Sequence, residues 1–196
     1  MKTNRFYFVC RAIVLFLLSF LFPFRASGRE NIPAEGPVLL CSNHVSLIDP
    51  LFIACSTKRY IRFISKKELF SNRFFNWLFT HLGMFPVDRG GSDLSAMRTS
   101  LAVLKEGGAL GIFPQGHRYR QDDNRDLETG AAIMALRARV PVIPIHVRGP
   151  VRLFRRNEVR FGKPLDFSDL KRLDAPALAE AGRRLAEGIW GENNTN

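Results

Sequence analysis

Two residues near the start of the chain, His44 and Asp49, have the types and the spacing needed for acid–base chemistry on a hydroxyl group. They belong to the segment Asn-His-Val-Ser-Leu-Ile-Asp, with four residues between them, so a tight turn can fold the carboxylate onto the imidazole. A carboxylate on one ring nitrogen of a histidine fixes the tautomer and stabilises the imidazolium that forms when the other nitrogen takes a proton. The pair therefore predicts a general base and its orienting partner.

A second pair with the same spacing, His117 and Asp122, competes with the first. It lies in a run of charged and polar residues that is typical of a solvated loop, whereas His44 and Asp49 lie between two apolar segments. This context favours His44 and Asp49. One structural alternative stays open, because Asp49 directly precedes Pro50 and has the features of a helix N-cap.

Strand-like and helix-like segments alternate along the chain, and they must position the candidate pair. Short apolar runs predict strands at 38–42, 60–65, 84–87, 109–113 and 140–147, with a short edge strand at 158–161. Apolar residues at helical spacing predict one helix that starts at Pro50 and others at 67–81, 92–106, 127–139 and 174–190. This order predicts a single α/β domain with a largely parallel central sheet flanked by helices, in which the strand ends are natural places for a site.

The later predicted strands are associated with distinctive segments as well. These are Ser-Lys-Lys-Glu-Leu at 65–69, Gly-Met-Phe-Pro-Val-Asp-Arg-Gly at 83–90, Phe-Pro-Gln-Gly-His-Arg at 113–118 and Val-Pro-Val-Ile-Pro-Ile at 140–145. Together with the His44 segment, they resemble the ordered motifs of the glycerolphosphate/lysophospholipid acyltransferase family: NHxSxxD, a KKEL-like segment, GxxPVDR, FPEGTR and VPIxP. Five ordered blocks over more than half of the chain are far more specific than one His–Asp pair.

The resemblance implies a reaction and a role for each matching residue. An acyl group would move from an acyl thioester, acyl-CoA or acyl-ACP, to the free hydroxyl of 1-acylglycerol-3-phosphate or a related lysophospholipid, without a cofactor. His44 would deprotonate that hydroxyl and Asp49 would orient His44. The implied binding residues are Arg89 and Arg118 for the acceptor phosphate, Lys66 and Lys67 for added positive charge, and Gly116 for close backbone approach.

The chain departs from the family pattern in the FPEGTR block, where Gln115 replaces the glutamate and His117 replaces the threonine. An amide oxygen still accepts a hydrogen bond, but it carries no charge. We expect both residues to belong to the substrate-binding region, with His117 either bonded to a phosphate or simply exposed. The departure leaves a different lyso-lipid acceptor open as an alternative.

The chain is basic, and its charge accompanies its most hydrophobic segment. The 196 residues carry a net charge of +11, and residues 1–75 alone hold 11 basic and four acidic groups. The apolar segment 6–24 is 19 residues long, barely enough to span a bilayer, and Arg11 would have to snorkel to the headgroups. Basic charge beside an apolar helix favours a membrane surface over nucleic acid, for which no motif is present.

We therefore expect residues 1–36 to form a membrane anchor and linker, with residues 25–37 as the linker-like part, and residues 37–196 to form the catalytic domain. The anchor would lie in one leaflet at the cytoplasmic face of the cell membrane, as a peripheral or monotopic helix. A cleaved signal peptide ending near residues 25–28 is the alternative.

The three cysteines, Cys10, Cys41 and Cys55, lie beside apolar residues and have no Cys-x-x-Cys spacing. They predict small buried side chains in a reducing compartment, and the spacing of the four histidines predicts no metal site.

Two other functions compete with acyl transfer. One is a hydrolase that uses His44 with a serine nucleophile, although no Gly-x-Ser-x-Gly segment is present and Ser46 is too near His44 in sequence for the usual arrangement. The other is a membrane-binding module without catalysis.

Overall fold

The computed structural model describes residues 4–88, 94–120 and 125–191, and it organises them around one mixed sheet. Within these ranges the strands are β1 (Phe24–Ser27), β2 (Val38–Ser42), β3 (Ile61–Lys66), β4 (Phe85–Val87), β5 (Ala109–Ile112), β6 (Val142–Val147) and β7 (Asn157–Phe161). Their order across the sheet is β1-β7-β6-β2-β5-β3-β4. Neighbouring strands are parallel except for the antiparallel pair β6 and β7. The predicted largely parallel sheet is confirmed.

The central strand β2 explains why the sheet is covered on both faces. All five of its residues are buried, and it pairs with β5 on one side and β6 on the other. Its side chains alternate between two hydrophobic clusters: Val38 and Leu40 belong to one, and Leu39 and Cys41 belong to the other. A continuous apolar run of this kind is stable only between two layers of helices.

The helices supply these layers. Those in the described ranges are α1 (Arg5–Leu21), α2 (Asp49–Ser56), α3 (Arg73–His81), α4 (Leu94–Lys105), α5 (Thr129–Ala138) and α6 (Ala175–Trp190). Residues of α1 and α2 pack into the cluster that contains Leu40, whereas α4, α5 and α6 pack into the cluster that contains Leu39. The helices therefore flank the sheet as predicted.

The segment predicted as a linker after the N-terminal helix contributes a strand instead. Residues 24–27 form β1, which pairs in parallel with β7 and makes β1, not β7, the edge of the sheet. The prediction of an edge strand at 158–161 is thus wrong about its position in the sheet. Buried Arg59 then donates hydrogen bonds to the carbonyl oxygens of Pro33 and Gly36, so the chain after β1 is also fixed to the domain. The division of the chain at residue 36 stays a prediction.

Arg11 has a different role from the one that its place in the apolar segment predicts. Its Nε donates to the carbonyl oxygen of Ala54 at 2.9 Å, and its Nη2 donates to that of Cys55 at 2.9 Å. These carbonyls lie in the last turn of α2, where the helix itself leaves acceptors unpaired and favours a cation. Arg11 therefore fixes α1 to α2 rather than extending to lipid headgroups.

The N-terminal helix lies against the domain through one face. Tyr7 and Leu18 are buried there, and burial raises the pKa of Tyr7 to about 12. In the part of the chain that the structure describes, no helix is both long and apolar enough to cross a membrane. The N-terminal apolar segment is helical, and its contact with a membrane stays a prediction.

Several helix boundaries differ from the predicted ones; the helix expected at 127–139, for example, is α5 (Thr129–Ala138). The helix expected at 67–81 is divided into a 3₁₀ turn (Lys67–Phe70) and α3, because the Oδ1 of Asn72 accepts from the backbone N–H groups of Phe74 and Phe75 and starts a new helix. The helix expected at 92–106 is seen from Leu94, and its predicted cap, Ser92, lies outside the described residues.

Of the three thiols, Cys41 and Cys55 are buried and Cys10 is half-buried.

Candidate active site

The carboxyl ends of two adjacent strands bring the His44 segment and the Gln115 segment together. His44 follows β2 by two residues and Gln115 follows β5 by three, and the two strands are parallel neighbours in the centre of the sheet. Loops at the same end of adjacent parallel strands are close in space even when 71 residues of chain separate them. The site therefore lies where the order of predicted strands places it.

The predicted His–Asp pair is formed. The Nδ1 of His44 lies 2.8 Å from the Oδ2 of Asp49. The same oxygen accepts the backbone N–H groups of Val45 and Ser46, each at 2.8 Å. Asp49 is fully buried at the first position of α2, so its carboxylate faces back onto the loop instead of acting as an ordinary helix cap. One carboxylate oxygen thus sets the turn and holds the imidazole.

The main chain at His44 is fixed by contacts from three directions. Its N–H donates to the Oε1 of buried Gln115 at 2.7 Å, and its carbonyl oxygen accepts from the N–H of Tyr119 at 2.8 Å. The preceding residue, Asn43, exchanges two hydrogen bonds with the backbone of Val147 on β6, at 2.8 and 2.7 Å. These contacts fix the backbone of His44, so its side chain is positioned more rigidly than that of an ordinary loop residue.

The ring of His44 is also held from one side. The ring of Phe113 stacks on it with centroids 4.1 Å apart and an interplanar angle of 23°. The side chain of His44 is 12% exposed, and its Nε2 has no hydrogen-bond partner among the described residues. With Nδ1 engaged by Asp49, Nε2 is the atom that can accept a proton from a bound hydroxyl.

Gln115 lies beneath His44 and not on the surface of the site. Its exposed fraction is 4%, and its amide oxygen makes the hydrogen bond that positions His44. This is the acceptor role that an amide retains when it replaces a carboxylate. The predicted contact of Gln115 with substrate stays a prediction, whereas its contact with the backbone of His44 is observed.

The remaining residues of this block lie in the loop after β5. Gly116 has φ of +68°, a conformation that favours glycine, and the carboxylate of Glu128 packs so closely over it that a Cβ there would collide. His117 and Arg118 are exposed, as a residue that contacts a soluble headgroup must be. Sequence reasoning missed Glu128, because nothing in the sequence links it to Gly116 across 11 intervening residues.

The predicted phosphate cations divide into three cases. Arg118 lies in the loop that also contacts His44. Arg89 lies outside the described residues, and so does Asp122, the partner predicted for His117 in the competing pair. Lys66 is the last residue of β3 and Lys67 follows it, at the same edge of the sheet. Both lysines are exposed and lie near carboxylates: Lys66 is 3.0 Å from Glu68 and Lys67 is 3.8 Å from Asp88. Exposed pairs of this kind are weak, so they do not prevent either lysine from binding an anion.

A cavity of about 490 Å³ opens beside the His44 site. Phe113, Pro114 and Gly116 form its wall on the side of the catalytic loop. The rest of the lining is mostly apolar and comes from the ends of the strands and from α4 and α5, including Ile64, Leu94, Met97, Ile133 and Met134.

Among the described residues, no group of three or more His, Cys, Asp or Glu side chains is arranged to hold a metal ion.

Fold and site together define an α/β protein with a His–Asp pair at the carboxyl end of its central strand. Comparison with known proteins then gives the family: the model of the Acyltransferase family matches residues 23–148, more than half of the chain, and the chain belongs to that family. The resemblance predicted from the five motifs is confirmed, and the protein is an acyltransferase of phospholipid biosynthesis rather than a hydrolase or a membrane-binding module.

Individual relatives carry a more specific name. The chain is 32% identical over 189 residues to the 1-acyl-sn-glycerol-3-phosphate acyltransferase of Streptococcus pneumoniae, a match that covers 92% of this chain and 70% of the relative. It is 30% identical over 173 residues to the enzyme of that name from Bacillus subtilis, covering 85% and 86%. The crystal structure of the 1-acyl-sn-glycerophosphate acyltransferase PlsC from Thermotoga maritima has the same fold, with a TM-score of 0.68 at 21% identity over 94% of this chain and 76% of that one.

Proposed function

We propose that the protein transfers an acyl group from an acyl thioester, either acyl-CoA or acyl-ACP, to the free hydroxyl of 1-acylglycerol-3-phosphate. The observation that carries the proposal is the His44–Asp49 pair at 2.8 Å, with an imidazole that stays partly exposed and stacks on Phe113, a residue of the wall of an apolar cavity. The names of the relatives support the acceptor.

In the proposed reaction, Nε2 of His44 takes the proton of the acceptor hydroxyl as its oxygen attacks the thioester carbonyl carbon. The carbon–oxygen bond forms, the tetrahedral intermediate collapses, and the carbon–sulfur bond breaks. The leaving thiolate then takes the proton from His44, so no charge or atom is left over and no acyl-enzyme forms. Asp49 keeps the proton on Nδ1 and stabilises the transient imidazolium from a fully buried position.

The apolar cavity supports binding of the acyl chain. Its walls reach the catalytic loop at Phe113, whose ring also stacks on His44, so a chain in the cavity would place its carbonyl end near Nε2. Burial of methylene groups contributes about 0.8 kcal/mol each, which makes an apolar cavity a strong site for a fatty acyl group.

The acceptor phosphate is proposed to bind Arg118, assisted by Arg89, His117, Lys66 and Lys67. Replacing Arg118 with alanine is expected to raise KM for the acceptor by roughly tenfold to a hundredfold, because a charged hydrogen bond is worth about 1.5–3 kcal/mol. KM for the acyl donor is expected to stay within about twofold. Steady-state kinetics with each substrate varied in turn measure both values.

The matched control for this prediction is Arg172→Ala, which removes an exposed arginine beyond the catalytic loops. An Arg118→Ala enzyme with the acceptor KM of the Arg172→Ala enzyme would contradict phosphate binding by Arg118. A panel of lyso-lipid acceptors tests the other half of the proposal, since a preference for an acceptor without a phosphate monoester would contradict the named substrate.

We also propose that α1 holds the enzyme on the membrane surface, at the cytoplasmic face where the thioester donors are available. The outward face of α1 exposes Val9, Ile13, Phe16 and Phe20, whose spacing places them on one side of the helix. The opposite side is held to the domain by Arg11 and Leu18. A helix so attached can bury its apolar face among lipid chains without leaving the protein.

Replacing both Ile13 and Phe16 with serine is expected to lower vesicle binding by at least about tenfold, because each buried apolar side chain contributes about 1.5–3 kcal/mol. The two side chains are 57% and 74% exposed, so the free energy of unfolding is expected to change little. Sedimentation with phospholipid vesicles measures binding, and thermal unfolding checks the fold. Unchanged sedimentation would contradict the role of α1.

A further inference from the structure

The loop of residues 151–156, between β6 and β7, combines exposed apolar and exposed basic side chains. Its sequence is Val-Arg-Leu-Phe-Arg-Arg. Leu153 is 51% exposed and Phe154 is 61% exposed, and the three arginines around them are exposed as well. Large apolar side chains between cations are unusual for a surface that meets only water.

The conformation of this loop is fixed by Asn157, the first residue of β7. Asn157 is 4% exposed, and its Oδ1 accepts from the N–H of Arg152 at 2.9 Å. Its Nδ2 lies within hydrogen-bond distance of the carbonyl oxygens of Arg152, Arg155 and Pro23, at 3.1, 2.8 and 3.2 Å. One buried amide therefore holds both ends of the loop, and the outward direction of its side chains is set by the fold.

Phe154 occupies a backbone conformation that its residue type does not favour. Its φ is +54°, in the left-handed region where glycine and asparagine are common, and its N–H donates to the carbonyl oxygen of Leu21 at 2.7 Å. A phenylalanine in this position exposes most of its side chain, and among the described residues its one ring–ring contact is an edge contact with Phe20, at 5.9 Å between centroids. Packing within the protein does not explain why this residue is aromatic.

The contact with Phe20 joins the loop to the outward apolar face of α1. Val9, Ile13, Phe16 and Phe20 form that face, and Phe154 extends it beyond the end of the helix. The backbone bond from Phe154 to Leu21 holds the loop at this place. The loop and α1 thus present one continuous apolar surface.

The charges of the loop distinguish between possible occupants of this surface. Within the described part of the chain, Arg152, Arg155 and Arg156 make no ion pair, whereas nearby Arg148 pairs with Glu158 at 3.0 Å. Three unpaired guanidinium groups around an exposed aromatic ring match a layer of phosphates above hydrocarbon, because arginine binds phosphate oxygens while the ring enters the apolar region below.

We propose that loop 151–156 is a second membrane contact, which binds a bilayer of anionic phospholipid. Leu153 and Phe154 enter the leaflet beside α1, and Arg152, Arg155 and Arg156 bind the headgroups that carry net negative charge. The loop supplies the preference for negative charge that the apolar face of α1 lacks. The inference does not depend on the proposed acceptor or on the role of His44.

The first test compares the full-length enzyme with the Arg152→Gln/Arg155→Gln/Arg156→Gln variant on two kinds of vesicle. On vesicles that contain phosphatidylglycerol, binding of the variant is expected to fall by about 100-fold, since each basic residue near an anionic surface contributes roughly a fivefold gain. On pure phosphatidylcholine vesicles, the two proteins are expected to bind alike. Equal loss on both vesicles, or no loss on either, would overturn the proposal.

The matched control is Lys105→Gln/Lys171→Gln/Arg172→Gln, which removes the same total charge. These exposed residues lie at the end of α4 and in the segment before α6, two helices that pack in the other hydrophobic cluster from α1. Binding to anionic vesicles is expected to remain within about threefold of the parent protein. If the control loses as much binding as the loop variant, the effect belongs to net charge and the proposed contact is wrong.

A second variant, Phe154→Asn, separates membrane contact from a structural role. Asparagine is favoured at this φ, so the melting temperature is expected to stay the same or rise, while binding to anionic vesicles falls at least tenfold. Leu173→Asn, which removes another exposed apolar side chain far from α1, controls for lost hydrophobicity. A lower melting temperature with unchanged vesicle binding would assign Phe154 a packing role. Unchanged vesicle binding with an unchanged melting temperature would indicate that the ring contacts a protein partner. Either result overturns the proposal.

Activity toward a short-chain, fully dissolved acceptor keeps the two proposals apart. The loop variants are expected to retain the turnover of the parent enzyme on that substrate, because no residue of the loop belongs to the catalytic site. A parent enzyme inactive on every acyl acceptor would contradict the proposed reaction and leave the vesicle comparison intact. Loop variants that lose turnover on the dissolved acceptor would instead contradict the assignment of the loop to the membrane.

Discussion

Replacing His44 with alanine is expected to lower acyl transfer by a factor of about 10²–10⁴, the usual contribution of a positioned general base. The expectation follows from the geometry: Nδ1 is held by a buried carboxylate, the ring is stacked on Phe113, and Nε2 is left for the acceptor hydroxyl. Transfer of a labelled acyl group from acyl-CoA to 1-acylglycerol-3-phosphate measures the rate. KM for either substrate is expected to change much less than kcat, because the lost interaction acts mainly in the transition state.

The fold of this variant is expected to survive. The hydrogen bonds from His44 to Gln115 and Tyr119 use its backbone, and the bonds from Val45 and Ser46 to Asp49 are independent of the imidazole. His81→Ala is a suitable control, since it removes an exposed histidine from the end of α3. If His44→Ala and His81→Ala transfer acyl groups at the same rate with the same melting temperature, His44 is not the base.

The contact between His44 and Asp49 could be predicted because it depends on short-range features of the sequence. The apolar run that forms β2, the turn after it and the proline at the start of α2 are all local, and they bring His44 to Asp49 within one turn of chain. The other motifs lie near this pair because they follow neighbouring parallel strands. The alternation of strands and helices along the sequence predicts that parallel arrangement. Local chemistry and layer architecture were therefore sufficient for the core of the site.

Features that depend on distant partners were not predictable in the same way. Arg11 pairs with carbonyls 43 and 44 residues away, and Asn43 exchanges bonds with Val147 across 104 residues. Residues 24–27 have too short a pattern to indicate a strand, and only pairing with β7 makes them one. Such contacts are decided by which segments become neighbours in the folded chain, and a single sequence carries little information on that.

The second large effect is expected at Asp49, where two substitutions separate charge from scaffold. In Asp49→Asn, an amide oxygen can take the place of Oδ2 and still accept from His44, Val45 and Ser46, while the NH₂ group takes the place of Oδ1, which has no partner among the described residues. The loop is kept but the negative charge beside the imidazolium is lost. We expect kcat to fall roughly 10–150-fold, as for loss of a charged hydrogen bond, and stability to fall by about 1–3 kcal/mol for the unpaired buried NH₂ group.

In Asp49→Ala, all three of these hydrogen bonds are lost, and two buried or half-buried backbone N–H groups are left without acceptors. Each unsatisfied group costs about 1–3 kcal/mol, so this variant is expected to lose about 3 kcal/mol or more of stability as well as nearly all activity. Rates and urea unfolding of both variants, measured together, decide between the two roles of the carboxylate. If Asp49→Asn keeps the full rate while Asp49→Ala loses it, the carboxylate serves only to shape the loop, and the imidazolium needs no negative charge beside it.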